Sequence, residues 1–319
     1  MRAATVQDAA GIVGIHKAAN PYGDWYRNPH QRLARVPYED LTPFERYLHG
    51  GFGMDLSLLR RHVYEFERRG FPVLVAEDAG RIVGEAEVWL DEEPAPFGRY
   101  AAVTTLAVGL PPNQEVAGLL LARIAERVRK MGYHALDLVP LGASASVVGP
   151  EFHSIWKTAT FSADTDVIPK PAGEFTTHFL AGEYGDLRGL LLLNHRQPAR
   201  WRFESLSGVW PAAVMAGVTD ATKVLSVTVR PENGGEFAVL ASVPRWREPA
   251  AADLDVWMNP AAAAKRKEVE TAFSIGVELA RKLGTKRVEV PAPPTAGRAL
   301  RALGFADGGE GGAWLRKPL

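Results

Sequence analysis

The chain has 319 residues and carries 37 basic and 37 acidic side chains, so its formal net charge is zero. This length predicts two domains of about 150 residues each, and the balanced charge excludes a global field for nucleic acid or an anionic membrane. The sequence has no cysteine, which excludes disulfides, zinc thiolates and a cysteine nucleophile.

The first third of the chain predicts helices around an irregular aromatic segment. Met1–Val6 predicts a short strand, and Asp8 is a suitable N-cap for a helix that follows it. Residues 20–53 are rich in aromatic side chains and proline, and a long irregular segment of this kind in a compact domain is either functional or disordered. The aromatic content argues against disorder. A further helix is predicted over Leu56–Arg69, and Gly70 ends it.

Two strands follow, at Pro72–Glu77 and Arg81–Leu90. In the second strand, apolar residues alternate with Glu85, Glu87 and Trp89. The alternation predicts one apolar sheet face and one face that bears carboxylates. A glutamate on such a strand is most often an ordinary solvent-facing residue.

A strand–helix–strand unit comes next. Tyr100–Val108 predicts a strand, an amphipathic helix follows and ends at Gly132, and Ala135–Val139 predicts a strand parallel to the first. The stretch beyond it predicts one helix and two strands, at Glu151–Thr158, Phe161–Ile168 and Glu174–Leu180.

A similar order of elements begins again after Gly185, although a counterpart of the first strand is missing. Helices are predicted at Asp186–Asn194, Trp210–Ala216, about Val269–Leu283 and Thr295–Leu303. Strands are predicted at Lys223–Val229, Glu236–Val243, Ala252–Met258 and Lys286–Val290, with turns at Pro231–Gly235 and Asn259–Pro260. The repeated order indicates an internal duplication of a mixed α/β unit.

Several segments carry a resemblance to a known family. The runs "FPVLVAEDAGRIVGEAEVWL", "VTTLAV", "RVRKMGY" and "ALDLV" resemble the core of the Gcn5-related N-acetyltransferases, here abbreviated GNAT. In the second half, "VELARKLGTKRVEV" and "AGRALRALGF" resemble the same family's strand, helix and closing Gly-Phe segment. The resemblance divides the chain into an N-terminal GNAT-like acetyltransferase domain, residues 1–182, and a degenerate C-terminal GNAT-like domain, residues 183–319.

The resemblance implies an α/β fold of two mixed, splayed sheets flanked by helices. It further implies that acetyl-CoA is the co-substrate and that its pantetheine arm lies where the fourth and fifth strands separate. On this resemblance, the cofactor-binding residues are Leu106, Ala107, Val108, Gln114, Val116, Ala117 and Gly118.

The pyrophosphate turn departs from the family pattern. Aligned at Gln114, the family's glycine position holds Ala117, and a shift by one residue recovers Gly118 but loses the glutamine. A helix N-terminus binds phosphate through free amides and its dipole, so a turn with few glycines can still do so. Glu115 opposes an anion there. The alternative interpretation is a plain strand-to-helix turn capped by Asn113.

The catalytic positions depart from the pattern as well. The places of the family's tyrosine acid and carboxylate base hold other residues here, namely Trp156, Leu300, Ala102 and Ala252. Glu85 and Glu87, on the adjacent strand, are therefore weak candidates for the general base and would act through a water. Asp253 or Asp255 is the candidate in the second half. The basic run Lys265–Lys267 favours a solvated face over a phosphate site.

The sequence as a whole favours an acyl-CoA-dependent N-acetyltransferase that acts on the amine of a small molecule or peptide. The rings of residues 20–53 then either hold an apolar or cationic acceptor, or cover the core or bury an interface between the halves. The alternative is a non-catalytic tandem protein for ligand binding or assembly. Neither a nucleic acid nor a membrane is expected as a partner, no metal site is predicted because the histidines lack ligand spacing, and a cytoplasmic location is expected because no signal peptide is present. The oligomeric state stays open.

Overall fold

The computed structural model describes residues 1–109, 111, 113–139, 149–171, 176–179, 183–215, 223–229, 236–243 and 251–319. Its strands up to residue 179 are β1 Arg2–Ala3, β2 Tyr26–Asn28, β3 Leu33–Arg35, β4 Val73–Asp78, β5 Arg81–Glu93, β6 Gly98–Val108, β7 Ala135–Leu138, β8 His153–Asp164 and β9 His178–Phe179. The later strands are β10 Leu191–Leu192, β11 Lys223–Val229, β12 Phe237–Val243, β13 Ala252–Met258, β14 Arg287–Ala292 and β15 Ala306–Pro318.

The helices surround these strands. Those of the first half are α1 Ala9–Ala18, α2 Pro43–Tyr47, α3 Leu56–Arg68 and α4 Gln114–Lys130. Those of the second half are α5 Ala199–Leu206, α6 Val209–Val214, α7 Pro260–Ala263, α8 Arg266–Lys282 and α9 Pro294–Leu303. Gly132, Gly284 and Gly304 follow α4, α8 and α9 with positive φ angles of 80°, 83° and 102°, as expected of residues that stop helices.

The predicted mixed α/β architecture is confirmed, and the strands of both halves join in one mixed sheet. Within the described ranges the strand order is β1-β4-β5-β6-β7-β15-β8-β14-β13-β12-β11-β9, and β10 pairs separately with β13. β15, from the end of the chain, lies between β7 and β8, while β8 lies between β15 and β14. Each half therefore places its closing strand among the strands of the other.

β15 was not predicted because its glycine-rich sequence lacks alternation. Its glycines allow a close approach to β8: a Cβ at Gly311 would lie 2.4 Å from the carbonyl oxygen of Thr158, and one at Gly308 would lie 3.2 Å from that of Thr160. Glycine thus fits β15 beside β8, where the register shifts between Glu310 and Ala313. The closeness of the two backbones, rather than a hydrophobic pattern, determines this strand.

Two predicted helices are wrong. Glu151–Thr158 is not helical, because β8 begins at His153 and its residues pair with both β15 and β14. Asp186–Asn194 is not helical either: Tyr184–Leu187 forms one 3₁₀ turn and Leu191–Leu192 forms β10. In both segments strand pairing overrides a weak local helical pattern.

The other predicted elements are present where the structure describes them. The turn at 231–235, the end of the helix at 216 and part of the strand at 174–180 lie outside the described residues. β6 and β7 are parallel, as predicted. β9 pairs with β11 at the far edge of the sheet, as β1 pairs with β4 at the near edge. This pairing supplies the first strand that the second half was expected to lack.

Two helical layers enclose the first half of the sheet. A Cβ at Gly84 of β5 would lie 2.8 Å from Val116 and 3.0 Å from Leu120, so α4 packs closely on that face. On the opposite face, α1 packs on the same strand and α3 packs on its neighbour β4. Side chains of β5 that point toward α1 and α3 are therefore removed from water.

Candidate active site

The strands β6 and β7 separate partway along the sheet. They pair only from Ala101 to Val103, opposite Leu136–Leu138, whereas β6 continues to Val108. The amide of Gly109 donates to the carbonyl of Val83, and bonding alternates along an antiparallel pair. The amide and carbonyl of Val108 therefore point away from β5, toward the gap. No strand in the described ranges pairs with this edge of β6 beyond Val103.

The corresponding gap of the second half is filled by the chain itself. β13 pairs with β14 only at Ala252 and Asp253. Farther along β13, the short strand β10 takes the vacated edge, with Leu191 opposite Met258 and Leu192 opposite Trp257. The amide of Leu193 adds a 2.8 Å hydrogen bond to the carbonyl of Val256. An extended ligand arm has no room along this edge unless β10 leaves it.

The N-terminus of α4 follows the end of β6 directly. The side chain of Asn113 accepts hydrogen bonds from the amides of Glu115 and Val116, at 3.0 and 3.2 Å. Gln114 and Gly118 are exposed, whereas Ala117 is fully buried. The cap expected in the alternative interpretation of this turn is therefore present, and a phosphate that took these amides would first displace the Asn113 side chain.

Glu85 and Glu87 are buried, so the expectation of a solvent-facing pair is wrong. Each contacts a histidine from a covering helix. His16 Nε2, on α1, lies 2.7 Å from Glu85 Oε2, and His62 Nε2, on α3, lies 3.0 Å from Glu87 Oε1. Thr105 donates from its hydroxyl to Glu87 at 2.7 Å. The contacts with the histidines replace the hydrogen bonds to water that the two carboxylates lose on burial.

The proton equilibria of the two pairs differ. Burial lowers the pKa of His16, but the carboxylates of Glu85 and Glu87 outweigh it and hold that pKa above its usual value. Burial raises the pKa of Glu85 in spite of His16. Burial also acts to raise the pKa of Glu87, but His62 and Thr105 overcome it and lower that pKa. The lowered pKa of Glu87 favours its charged form, while the raised pKa values of Glu85 and His16 favour a proton on that pair.

His16 is the accessible member of this cluster. Its side chain is 14% exposed, whereas that of Glu85 is 0% exposed and that of His62 is 1% exposed. Gly53 lies against the imidazole, since a Cβ at this position would come within 2.5–2.7 Å of three ring atoms. Only glycine fits there without moving the ring. Sequence analysis missed His16 and His62, because the partners are remote in sequence and form no motif.

The aromatic segment 20–53 is structured, and in the sequence it lies between His16 and His62. Trp25 and Tyr38 meet edge to face at 5.0 Å, and the Lys17 ammonium lies 3.4 Å from the centre of the Tyr38 ring. The segment encloses a cavity of about 300 Å³, lined by Pro21, Tyr22, His30, Tyr47, Leu48, His49, Gly50 and Gly51. Because Gly51 precedes Gly53 by two residues, the cavity borders the loop that touches His16.

The remaining sequence candidates have structural roles or lie in solvent. Asp255 is buried and accepts two hydrogen bonds from the Arg202 guanidinium, at 2.9 and 2.7 Å. Residues 265–267 are exposed, and Arg266 pairs with Glu270 on the same helix. Trp156 lies in β8 opposite Trp314 rather than on a helix.

No group of three or more metal-binding side chains occurs in the described ranges. None of the helices in those ranges has the length and apolar character needed to cross a bilayer.

No protein-family model matches the sequence, and neither does the sequence of any curated protein. Solved structures do match. A GCN5-related N-acetyltransferase from Kribbella flavida aligns with 100% of this chain and 70% of its own, at a TM-score of 0.55 and 13% identity. The chain has the GNAT fold. An Anabaena variabilis GNAT protein aligns with 83% of this chain at a TM-score of 0.54 and 9% identity.

A structure from Enterococcus faecalis is similar to this chain to the same degree. It is described as a conserved protein of unknown function and a probable N-acyltransferase. It aligns with 99% of this chain and 71% of its own, at a TM-score of 0.54 and 8% identity. The chain spans 66% of the Anabaena structure, slightly less than two thirds. These likenesses concern the fold alone, so activity has to be argued from the residues.

Proposed function

We propose that this protein is an acyl-CoA-dependent N-acyltransferase that transfers an acetyl group from acetyl-CoA to the amine of a small molecule or peptide. The observation that carries the proposal is the asymmetry of the two gaps. The second gap is filled by β10, whereas the first leaves the amide of Val108 directed into it, next to the buried His16–Glu85 pair. Residues 1–182 would be the working half, and residues 183–319 a degenerate copy.

The first gap suits an acyl-CoA in two respects and opposes it in one. An extended pantetheine arm can pair with the edge of β6 as an added strand would, using the amide and carbonyl of Val108; those of Ala107 point toward Glu85 of β5. The N-terminus of α4 offers amides and a positive dipole end to the diphosphate. Glu115 opposes binding, because it adds a negative charge near that place. The diphosphate also has to take the amide hydrogen bonds that the Asn113 side chain accepts.

The His16–Glu85 pair can supply the base. An amine attacks the thioester carbonyl only after losing a proton, and His16 is the exposed member of the buried pair. In this scheme His16 Nδ1 takes the proton while Glu85 holds Nε2 and stabilises the charged ring. The C–N bond forms, the C–S bond breaks, and the departing thiolate takes up one proton. Glu85 is then a positioning residue.

The non-catalytic alternative rests on one observation, namely that Asn113 already caps the amides of Glu115 and Val116. An activity assay separates the two. The protein is incubated with acetyl-CoA and a panel of primary amines and short peptides, and release of CoA thiol is followed with His16→Gln as the comparison. Amine-dependent release that the variant loses supports the transferase. Binding of acetyl-CoA without release from any amine would favour the non-catalytic protein.

A further inference from the structure

A second and larger cavity lies where the two halves meet, at the far end of β5 from the gap. It has a volume of about 620 Å³, within the range of small-molecule sites. The first half lines it with residues 90–94, Arg99 and Tyr133, and the second half with Tyr184, Arg188, Gly189 and Arg200. Nothing in the proposed acyl transfer uses these residues.

One side of this seam cavity is cationic. The Arg99 guanidinium stacks on the Tyr133 ring at 4.5 Å, and Arg200 pairs with Glu204 at 2.7 Å. Within the described ranges, neither Arg99 nor Arg188 has a carboxylate within ion-pair distance. Two arginine forks are therefore available, and the guanidinium geometry matches a carboxylate.

The other side carries a carboxyl group, Asp91, that forms no ion pair within the described ranges. In those ranges Asp91 accepts hydrogen bonds from Trp89 Nε1 at 3.3 Å and from the Glu92 amide at 2.9 Å. Its neighbour Glu93 is fully engaged: it contacts His195 Nε2 at 2.7 Å, the Ala199 amide at 3.0 Å and the Tyr100 hydroxyl. Burial, helped by the charge of Glu93, raises the pKa of Asp91 to about 7 and outweighs the opposing hydrogen bonds and the charge of Arg200, as expected of a buried carboxylate that forms no ion pair.

We infer that the seam cavity binds a small zwitterion of the α-amino-acid class, whose carboxylate is held by Arg99 and Arg188 and whose amine is held by Asp91. The balance of charge favours a zwitterion over a simple anion, because two unpaired arginines face an unpaired carboxyl group. Both halves contribute residues to the lining of the cavity, so a bound ligand would contact β5 and the segment 184–200 at the same time.

The site is separate from the acyl-transfer cluster. Asp91 lies four residues beyond Glu87 on β5, a distance of about 13 Å. Trp89 stands between them and packs on Trp201 at 5.1 Å and on Trp210 at 5.6 Å. Because Trp89 and Trp210 are fully buried and close the path, a ligand in the seam cavity cannot reach His16, and the inference does not depend on the proposed activity.

Calorimetry on the full chain tests this inference. Each proteinogenic amino acid is titrated in turn, and the tightest binder is compared with its decarboxylated amine and its deaminated acid. We expect Arg188→Gln and Asp91→Asn each to weaken binding about tenfold, the effect of losing one charge-assisted contact. Arg127→Gln, an exposed arginine away from the cavity, should leave binding unchanged.

Three results would overturn the inference. The first is that no amino acid binds to the correctly folded protein. The second is that the deaminated acid binds as tightly as the amino acid, which would identify a simple anion site. The third is that both cavity variants bind like the wild type. None of these readouts involves acetyl-CoA, so failure here leaves the proposed transferase untouched.

Discussion

His16 Nε2 lies 2.7 Å from Glu85 Oε2, a carboxylate oxygen with no contact to solvent. The other oxygen of that carboxylate, Oε1, is buried and has no hydrogen-bond partner among the described residues. Within the described residues, the Glu85 carboxylate therefore forms its hydrogen bond with one imidazole, that of His16. A group held in this way orients His16, and His16 is the member of the pair that an acceptor can reach.

The first prediction concerns the rate. His16→Gln should lower kcat about a hundredfold, the usual contribution of a general base, and Glu85→Gln should lower it by a smaller factor, because it removes only the orienting charge. The KM for acetyl-CoA should change little in either variant. Steady-state release of CoA thiol measures these effects, with His134→Gln, an exposed histidine, as the control. Unchanged kcat in His16→Gln would remove His16 from the mechanism.

The second prediction concerns pH. The base must be neutral to accept a proton, and the carboxylates hold the pKa of His16 above 6.5. The value of kcat/KM should therefore rise with pH and level off only above an apparent pKa higher than 6.5. Glu85→Gln should move that apparent pKa downward, since burial then acts with less opposition. A profile that is flat from pH 6 to pH 9 would contradict this assignment.

The third prediction concerns the positioning of His16 by Gly53. Gly53→Ala would bring a methyl group within 2.5–2.7 Å of the imidazole, so the ring has to move. We expect kcat to fall about tenfold or more, since small misplacements of catalytic groups are costly, and the KM for acetyl-CoA to stay near its wild-type value.

Gly14→Ala is the matched control, because Gly14 lies on the same helix as His16 and a Cβ there meets no atom within 4 Å. This change should keep wild-type kcat and add up to about 1 kcal/mol of stability from helix propensity. Equal kcat in the two alanine variants would show that Gly53 does not position the ring.

The fourth prediction concerns Asn113. Without ligand, Asn113→Ala should lower the free energy of unfolding by about 1 kcal/mol, because two amides of α4 lose their cap. With saturating acetyl-CoA the loss should shrink, since the diphosphate takes the same amides. Chemical denaturation with and without acetyl-CoA measures both values. An equal loss in the two conditions would mean that the diphosphate lies elsewhere.

The fifth prediction concerns the pH dependence of stability. The pKa of Asp91 is raised to about 7 in the folded protein from an ordinary value of 3.8, because its carboxyl group is buried. Folding therefore favours the protonated form, and the stability associated with this group is lost as pH rises from about 4 to 7. Asp91→Asn keeps the neutral shape at every pH. It should raise Tm by about 2 °C or more at pH 8 and change it little at pH 4. A shift of equal size at both pH values would contradict the raised pKa.

The sequence predicted most of the first half of the fold, because its strands alternate and its helices end at glycines such as Gly132. It did not predict β15, whose position depends on the close approach of Gly311 to Thr158. It also missed β10, since a short apolar run at Leu191 reads equally well as part of a helix.

The candidate site was predicted in part. Glu85 and Glu87 were found because alternation places both on one face of β5. Their burial and their partners were not found, since His16 and His62 reach them from two other elements. The role of Gly53 depends on contacts across the fold and leaves no local pattern in the sequence.

In the proposed function, the first gap holds one acyl-CoA along the edge of β6. Calorimetric titration of acetyl-CoA into the wild type, Val108→Pro and Val108→Ala tests this placement. The proline removes the amide that points into the gap, and the alanine keeps it. We expect one site per chain, retained in Val108→Ala and lost in a folded Val108→Pro protein. No binding to the wild type, two sites per chain, or full binding by Val108→Pro would contradict it.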